Sequence, residues 1–348
     1  MVFLLSQSYH YCYNKPMKKK YDLVCIGDCT MDAFIVLKEA SVHCDADHQH
    51  CQLSMSFADK VPYESLTVVP AVGNSSNVAV GATRLGLSTA IVTAVGDDYY
   101  GSQITDVYRT EGVSTEFVKV NRKKPTNYHF VLNYKAERTI LIKHNDYEYT
   151  DPSALDTKTD WIYFSSIGEH TLPFHKKIAD YLKRHPEVRM AFNPGTFQFH
   201  FGVDKLKEIY RHTYVLFVNR EEAGRILKTH NLEVKHLFEG LHNLGPRIVV
   251  ITDGPDGAYA SDGISAYFMP PYPDPKPPVS RTGAGDAFST GFLSALIYGL
   301  PIHKALAWAP IESMSVVQHL GAQTGLLTKS KLTALLKKAP AHYEPKQL

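Results

Sequence analysis

From Trp161 onward the chain repeats one local pattern, a short apolar run followed by a segment whose apolar residues recur at helical spacing. Trp161–Ile167, Arg189–Phe192, Tyr214–Val218 and Arg247–Thr252 read as strands, and Leu172–Lys183, Asp204–Tyr210 and Arg220–Thr229 read as helices. Strands alternating with helices imply a mainly parallel sheet, because parallel neighbours need a crossover and a helix is the usual one. Helices on both faces then bury the sheet, which explains why its strands are apolar without alternation. Sheets of this class bind ligands at the carboxyl ends of their strands. The polar residues there are therefore candidates for binding: Asn193, then Asn219 with Glu222, then Thr252, Gly254 and Gly257.

The stretch Val279–Leu296, VSRTGAGDAFSTGFLSAL, joins a proline-rich loop (Met269–Pro278) to an apolar helical segment. Gly283 and Gly285 let the backbone turn tightly and point free amides at a ligand, and the helix start adds partial positive charge. That combination suits an anion. Asp286 beside it suits phosphoryl transfer, in which a carboxylate takes the proton of an attacking hydroxyl while amides neutralise charge. A helix start with an acidic first turn is the plainer reading of this piece taken alone.

The first half of the chain reads less regularly. Asp22–Asp28 is a buried strand that places Asp28 and Asp32 beyond its carboxyl end. Ala33–Leu37 and Leu66–Val69 read as strands flanking a polar loop that holds His43, Cys44, His48, His50 and Cys51. Those residues could ligate zinc, but their spacing fits no standard structural site, and a solvated loop is the main expectation. Gly73–Gly86 begins with permissive residues and continues as a helix, with Asn74 or Ser75 as cap and Asn77 one turn inside. Thr89–Gly96 is a strand leading to a helix that ends near Glu111, and Pro125–Ile142 is a hairpin turning at Ala136-Glu137. Its Tyr128, Phe130 and Tyr134 could stack on a sugar or base, with packing the commoner fate.

Composition narrows the partners. Lys and Arg number 37 against 35 for Asp and Glu, with no long run of one sign, so neither nucleic acid nor a membrane surface is expected. All five cysteines fall in the first 51 residues, a poor disulfide framework for 348 residues, which favours a reducing cytoplasm. The opening MVFLLSQSYHYCYNKP is too short in apolar residues for a signal or a span. Residues 1–16 read as a disordered extension, with Met17 as the more natural start.

Thr282-Gly283-Ala284-Gly285-Asp286-Ala287-Phe288, followed by Gly291-Phe292, resembles the C-terminal signature of the ribokinase-like (PfkB) sugar and nucleoside kinases, and Gly73–Gly86 resembles their N-terminal one. The resemblance runs from about Tyr21 to Leu336 with the motifs in family order. It implies an α/β protein of three-layer α/β/α ribokinase-like fold, with a mainly parallel central sheet and a small β-sheet lid. The kinase domain would be 17–340, with lid segments at about 33–70 and 125–143 and a tail at 341–348.

The activity implied is ATP-dependent phosphorylation of a hydroxymethyl group. Asp286 would be the base, and the amides of Gly283, Ala284 and Gly285 would hold the transferred group. Asp32, Gly73, Asn74 and Asn77 would grip the acceptor. Asn219 and Glu222 would organise Mg²⁺ through water, and Asn193, Thr252, Gly254, Gly257 and Thr282 would lie along ATP and its phosphates. A homodimer through the lid accompanies that reading. This chain departs from the family at several points: Thr30 for the usual Asn, Val72 for Gly, Pro310 and Glu312 near the position of an Asn, and Ser280-Arg281 for Asp-Thr. The last removes a carboxylate that in many members helps bind a monovalent cation, so potassium dependence stays open.

Ribose or a ribonucleoside is the expected acceptor, since carboxylate and amide side chains together suit a vicinal diol. A hexose phosphate or sugar acid is the alternative, with Arg84, Arg138 or Lys143 as anion ligands. A non-catalytic sugar or nucleotide sensor is the rival of another class, whereas a dinucleotide oxidoreductase lacks the G-x-G-x-x-G after its first strand.

Overall fold

A computed structural model describes residues 20–45, 51–135 and 137–348. The expected extension at 1–16, the start at Met17, His48, His50 and Ala136 lie outside the described residues. In chain order the first half contains β1 (Leu23–Ile26), β2 (Thr30–Leu37), β3 (Ser41–Cys44), β4 (Cys51–Ser54), β5 (Tyr63–Val72), α1 (Asn74–Arg84), β6 (Thr89–Gly96), α2 (Tyr99–Glu111), β7 (Ser114–Asn121), β8 (Tyr128–Tyr134) and β9 (Glu137–Leu141). There follow β10 (Trp161–Phe164), α3 (Leu172–Arg184), β11 (Arg189–Phe192), α4 (Thr196–Lys205), α5 (Lys207–Arg211), β12 (Thr213–Asn219), α6 (Arg220–Leu227), α7 (Val234–Asn243) and β13 (Ile248–Thr252). The chain ends with β14 (Ala258–Ser261), β15 (Ala266–Met269), α8 (Ala284–Ile297), α9 (Ile302–Val317), α10 (Lys329–Lys337) and β16 (Lys346–Gln347).

Ten strands form one sheet in the order β16-β15-β14-β13-β12-β11-β10-β1-β6-β7. From β7 to β13 every pairing is parallel, and β14 to β16 add an antiparallel edge. Successive residues of β1 point to opposite faces, as strand geometry requires. Leu23 and Cys25 join a core with α1, α2, α8, α9 and α10, while Val24 and Ile26 join a second core with α3, α5, α6 and α7. That is the three-layer arrangement anticipated from the strand and helix rhythm. On the first face α8 packs along α9, and Phe292 and Leu293 of α8 are fully buried. Burial of each such side chain contributes about 2 kcal/mol.

A separate four-stranded sheet, ordered β5-β2-β8-β9, sits at one end of the main sheet's strands. Tyr128 packs on Tyr100 and Phe130, with centroids 5.1 and 5.2 Å apart, so the ring acts in packing. A two-stranded ribbon, β3 with β4, extends from this region.

Three sequence expectations change here. The helix read as Asp204–Tyr210 is the end of α4 and most of α5, which are separated at Leu206, and α4 is itself kinked where Gly202 takes φ 76°. Residues 341–348 return to the fold, with Tyr343 buried and donating to the Ala307 carbonyl, and β16 pairing with β15. The cysteines supply one disulfide after all, because the ribbon register sets Cys44 opposite Cys51 and they are bonded. Those thiols are thus not metal ligands, and among the described residues no cluster of His, Cys, Asp and Glu is placed to hold a metal ion. No helix among the described residues is long and apolar enough to cross a membrane.

Candidate active site

Two cavities meet at the start of α8. The larger, about 750 Å³, lies over the ends of β12 and β13 and is walled by Asn219, Thr252, Gly254 and Gly257, by Arg281, Ala284 and Gly285, and by Pro310 and Met314 of α9. The smaller, about 300 Å³, lies between the main and small sheets. Its wall includes Asp28, Asp32, Gly73, Asn74, Asn77, His129, His144, Thr282, Gly283 and Asp286. The Thr282–Asp286 turn thus serves both cavities, Thr282, Gly283 and Asp286 the smaller and Ala284 and Gly285 the larger.

The local sequence explains the turn. Gly283, the N-cap of α8, sits in the left-handed region at φ 81°, and a Cβ there would meet Ala322 Cβ at 2.4 Å. The Ala284 amide donates to the Arg281 carbonyl at 3.4 Å, so of the three expected donor amides this one is not free, and Ala287 donates to the Gly283 carbonyl at 2.9 Å. The amides of Gly285 and Asp286 have no partner among the described residues, as expected of a helix start. The Thr282 hydroxyl is also buried without a partner. A side chain at 285 would enter open space. The turn is therefore an open cradle of donors.

Asp286 is 8% exposed. Asn74 Nδ2 donates to its Oδ1 at 2.8 Å and Asn77 Nδ2 donates to its Oδ2 at 2.7 Å. Burial raises its pKa, and the two amides pull it partly back. The carboxyl is thereby held in one orientation and kept basic. Gln323 in turn donates to Asn77 Oδ1 at 3.0 Å, which fixes which end of that amide faces Asp286.

On the opposite side of the smaller cavity, Asp32 is buried in β2 and burial pushes it up to about 7. Its Oδ1 has no hydrogen bond, although His129 Nδ1 lies 3.6 Å away. Burial lowers His129 to about 4. Thr30, which replaces the family's usual Asn, donates its hydroxyl to the Asn127 carbonyl at 3.2 Å and so braces the backbone.

Not every candidate reaches a wall. Asn193 is tied between strands, donating to the Phe217 carbonyl at 3.0 Å and accepting from Tyr163 at 3.2 Å. It lines neither cavity. Asn219 and Glu222 form a reciprocal capping box on α6, at 2.7 and 2.8 Å, and only Asn219 reaches the larger cavity. Glu222 is raised by burial and keeps its Oε1 outside the box. Arg84 is spent on Glu111 and on the Gln323 carbonyl, so it is no anion ligand, and Arg138 alone of the suggested cations lines the smaller cavity. Glu312 faces away from the larger cavity, accepting from the Leu327 amide at 3.2 Å. Sequence reasoning missed His129, His144 and Tyr149; an isolated histidine or tyrosine in a strand or loop gives no local signal.

A doubly covered parallel sheet with two cavities meeting at a donor-rich helix start has the form of a group-transfer site with room for two ligands. Residues 21–329 match the pfkB family carbohydrate kinase, and the chain belongs to that family. It is therefore a phosphotransferase with an alcohol group as acceptor. It is similar to the ribokinase of Bacillus subtilis, 29% identical over 78% of this chain and 89% of that protein. The fold matches the nucleoside kinase of Methanocaldococcus jannaschii with a TM-score of 0.74 and 20% identity, covering 92% of this chain and 99% of that one. It matches Arabidopsis thaliana ribokinase complexed with ribose and ATP with a TM-score of 0.73 and 18% identity, covering 91% and 99%.

Proposed function

We propose that the protein transfers the γ-phosphoryl group of ATP to a hydroxymethyl oxygen of ribose or a ribonucleoside. One observation carries the reading: Asp286 lines the smaller cavity while Ala284 and Gly285, within the same turn, line the larger. Donor and acceptor bound in these cavities would meet at that turn. Asp286 accepts the proton of the hydroxyl, and its two amide partners keep the carboxylate aimed. The free amides of Gly285 and Asp286 and the Thr282 hydroxyl stabilise charge on the transferring group. Asp32, Gly73 and Asn77 line the acceptor's side, and Thr252, Gly254 and Gly257 the nucleotide's side.

The donor set also suits Mg²⁺. Glu222 lines neither cavity but keeps one carboxyl oxygen free of its capping box, so it would act on the ion through water, and magnesium is commonly held by phosphates, water and few carboxylates. When bound with the nucleotide the ion neutralises phosphate charge. Arg281, exposed on the larger cavity where many family members carry Asp-Thr, suits phosphates in place of a monovalent cation. The small sheet acts as the lid, and its exposed Leu66, Val68, Phe130 and Leu141 suit a homodimer through that sheet. The relatives named above support the choice of ribose or a nucleoside. Arg138 on the acceptor wall favours a sugar phosphate as the second reading.

The test is ADP release from Mg-ATP across ribose, ribonucleosides, fructose, sugar acids and hexose phosphates, with Asp286→Asn in parallel. The expected result is stimulation by one of the first two classes and a kcat loss of about 10²- to 10⁴-fold in the variant. Binding without turnover for every acceptor would favour a sensor instead.

A further inference from the structure

Asp28, His144 and Tyr149 form a hydrogen-bonded chain that the transfer chemistry above leaves unused. The Tyr149 hydroxyl donates to Asp28 Oδ1 at 2.5 Å, and His144 Nδ1 lies 2.7 Å from Asp28 Oδ2. Asp28 follows β1, and its own amide donates to the Ser166 carbonyl at 2.9 Å, so the carboxyl is anchored on the main sheet. His144 and Tyr149 come from the segment after β9.

The His144 ring is held on a second side, edge-on to Phe197 with centroids 5.2 Å apart at 89°. Its side chain is 13% exposed, and both rings line the smaller cavity. An acid that accepts on both oxygens makes Nδ1 a donor nitrogen, and in the neutral imidazole this leaves the Nε2 lone pair as an acceptor. Among the described residues Nε2 has no partner.

Other atoms near it are likewise unsatisfied. Asp32 Oδ1 and His129 Nε2 are buried without hydrogen bonds, and the His129 and His144 rings lie 5.3 Å apart. Buried polar groups without partners are unfavourable, so a ligand supplying several hydroxyl groups would be stabilised here. The balance of the wall argues against an anion: three acids, Asp28, Asp32 and Asp286, line it, and Arg138 is the one Lys or Arg among its described residues.

Resting on the kinase reading above, we propose that His144 is a positioning residue for the acceptor: its Nε2 accepts a hydrogen bond from a hydroxyl of an uncharged polyol, in an orientation set by Asp28 and Tyr149. Nothing in this role requires His144 to act on the transferring phosphoryl group. It selects and orients.

The experiment is calorimetric titration of the full chain with D-ribose, adenosine and fructose 6-phosphate, alongside Mg-ATP and the ADP-release assay. His144→Ala should raise the Kd of the uncharged acceptor about tenfold. Tyr149→Phe should raise it by a smaller factor, and Mg-ATP affinity should stay within about twofold. His144→Gln, whose amide oxygen can accept the same bond, should recover part of the loss. Unchanged acceptor binding in His144→Ala would overturn the proposal, as would equal losses for acceptor and Mg-ATP, which would mark a merely structural cluster. If only fructose 6-phosphate binds the wild type, this proposal falls and the kinase reading stands. If ribose or adenosine binds in a His144-dependent way without ADP release, the kinase reading falls and this one stands. Neither binding nor turnover overturns both.

Discussion

Asn77 in α1 donates to Asp286 Oδ2 at 2.7 Å across a sequence separation of 209 residues. The bond fastens the start of α8 to the helix that follows β5, and it moderates the upward push of burial on the carboxyl. Removing it in Asn77→Ala should raise the Asp286 pKa further. With the ionised carboxylate as the base, the acid limb of the kcat profile then moves to higher pH. A pH-rate profile of the variant checks this, and an unshifted limb would mean that another group controls it.

Glu312 is buried in α9, where burial pushes it up to about 8, and its Oε1 has no partner. The folded state therefore keeps this proton to about pH 8, whereas the unfolded chain releases it near the ordinary glutamate value of 4.5. The stabilisation is complete below the lower value and is lost as pH rises through the upper one. Glu312→Gln keeps an acceptor for the Leu327 amide and removes the titration. Denaturant unfolding should show the variant gaining stability over wild type between pH 6 and 8.5, by an amount on the order of a few kcal/mol.

Gly283→Ala combines a left-handed backbone with a Cβ placed against Ala322. Thermal unfolding should report a loss of about 1 to 3 kcal/mol. Activity should fall further than stability, since the displaced turn carries the free amides.

Arg84→Ala removes a two-pronged contact with Glu111 and a bond to the Gln323 carbonyl. The groups are partly exposed, so a stability loss of only about 1 kcal/mol is expected. Acceptor preference, measured as kcat/KM for neutral against phosphorylated sugars, should not move. A selective loss on phosphorylated sugars would show that Arg84 reaches the acceptor after all.

The parallel sheet was legible because each strand from Trp161 to Thr252 is a local apolar run bounded by turn residues. The helix start at Gly283 was legible for a similar reason, since glycine and acid are local signals. The start of α4 at Thr196 and its separation from α5 at Leu206 were not, because the kink at Gly202 interrupts the helical spacing ahead of Asp204. Asn193 was legible as a strand end, but its side chain turns to the Phe217 carbonyl, a choice made by the neighbouring strand. The Asp28–His144 pair joins residues 116 positions apart, and only the route of the chain after β9 brings them together. The Cys44–Cys51 bond depends on ribbon register in the same way.

The small sheet takes its strands from separate stretches of chain, entering through residues 27–29, leaving at Gly73, entering again before Tyr128 and leaving after Leu141. Asp28, Gly73 and His144 sit at or beside these passages, and all of them line the smaller cavity. Any rigid rotation of the sheet would therefore carry Asp32, His129 and Arg138 together against Asp28, which is held on the main sheet. Shape changes at the sheet's outer surface, whether from a neighbouring copy or from crowding, would be geared directly to the aperture through which the acceptor is held.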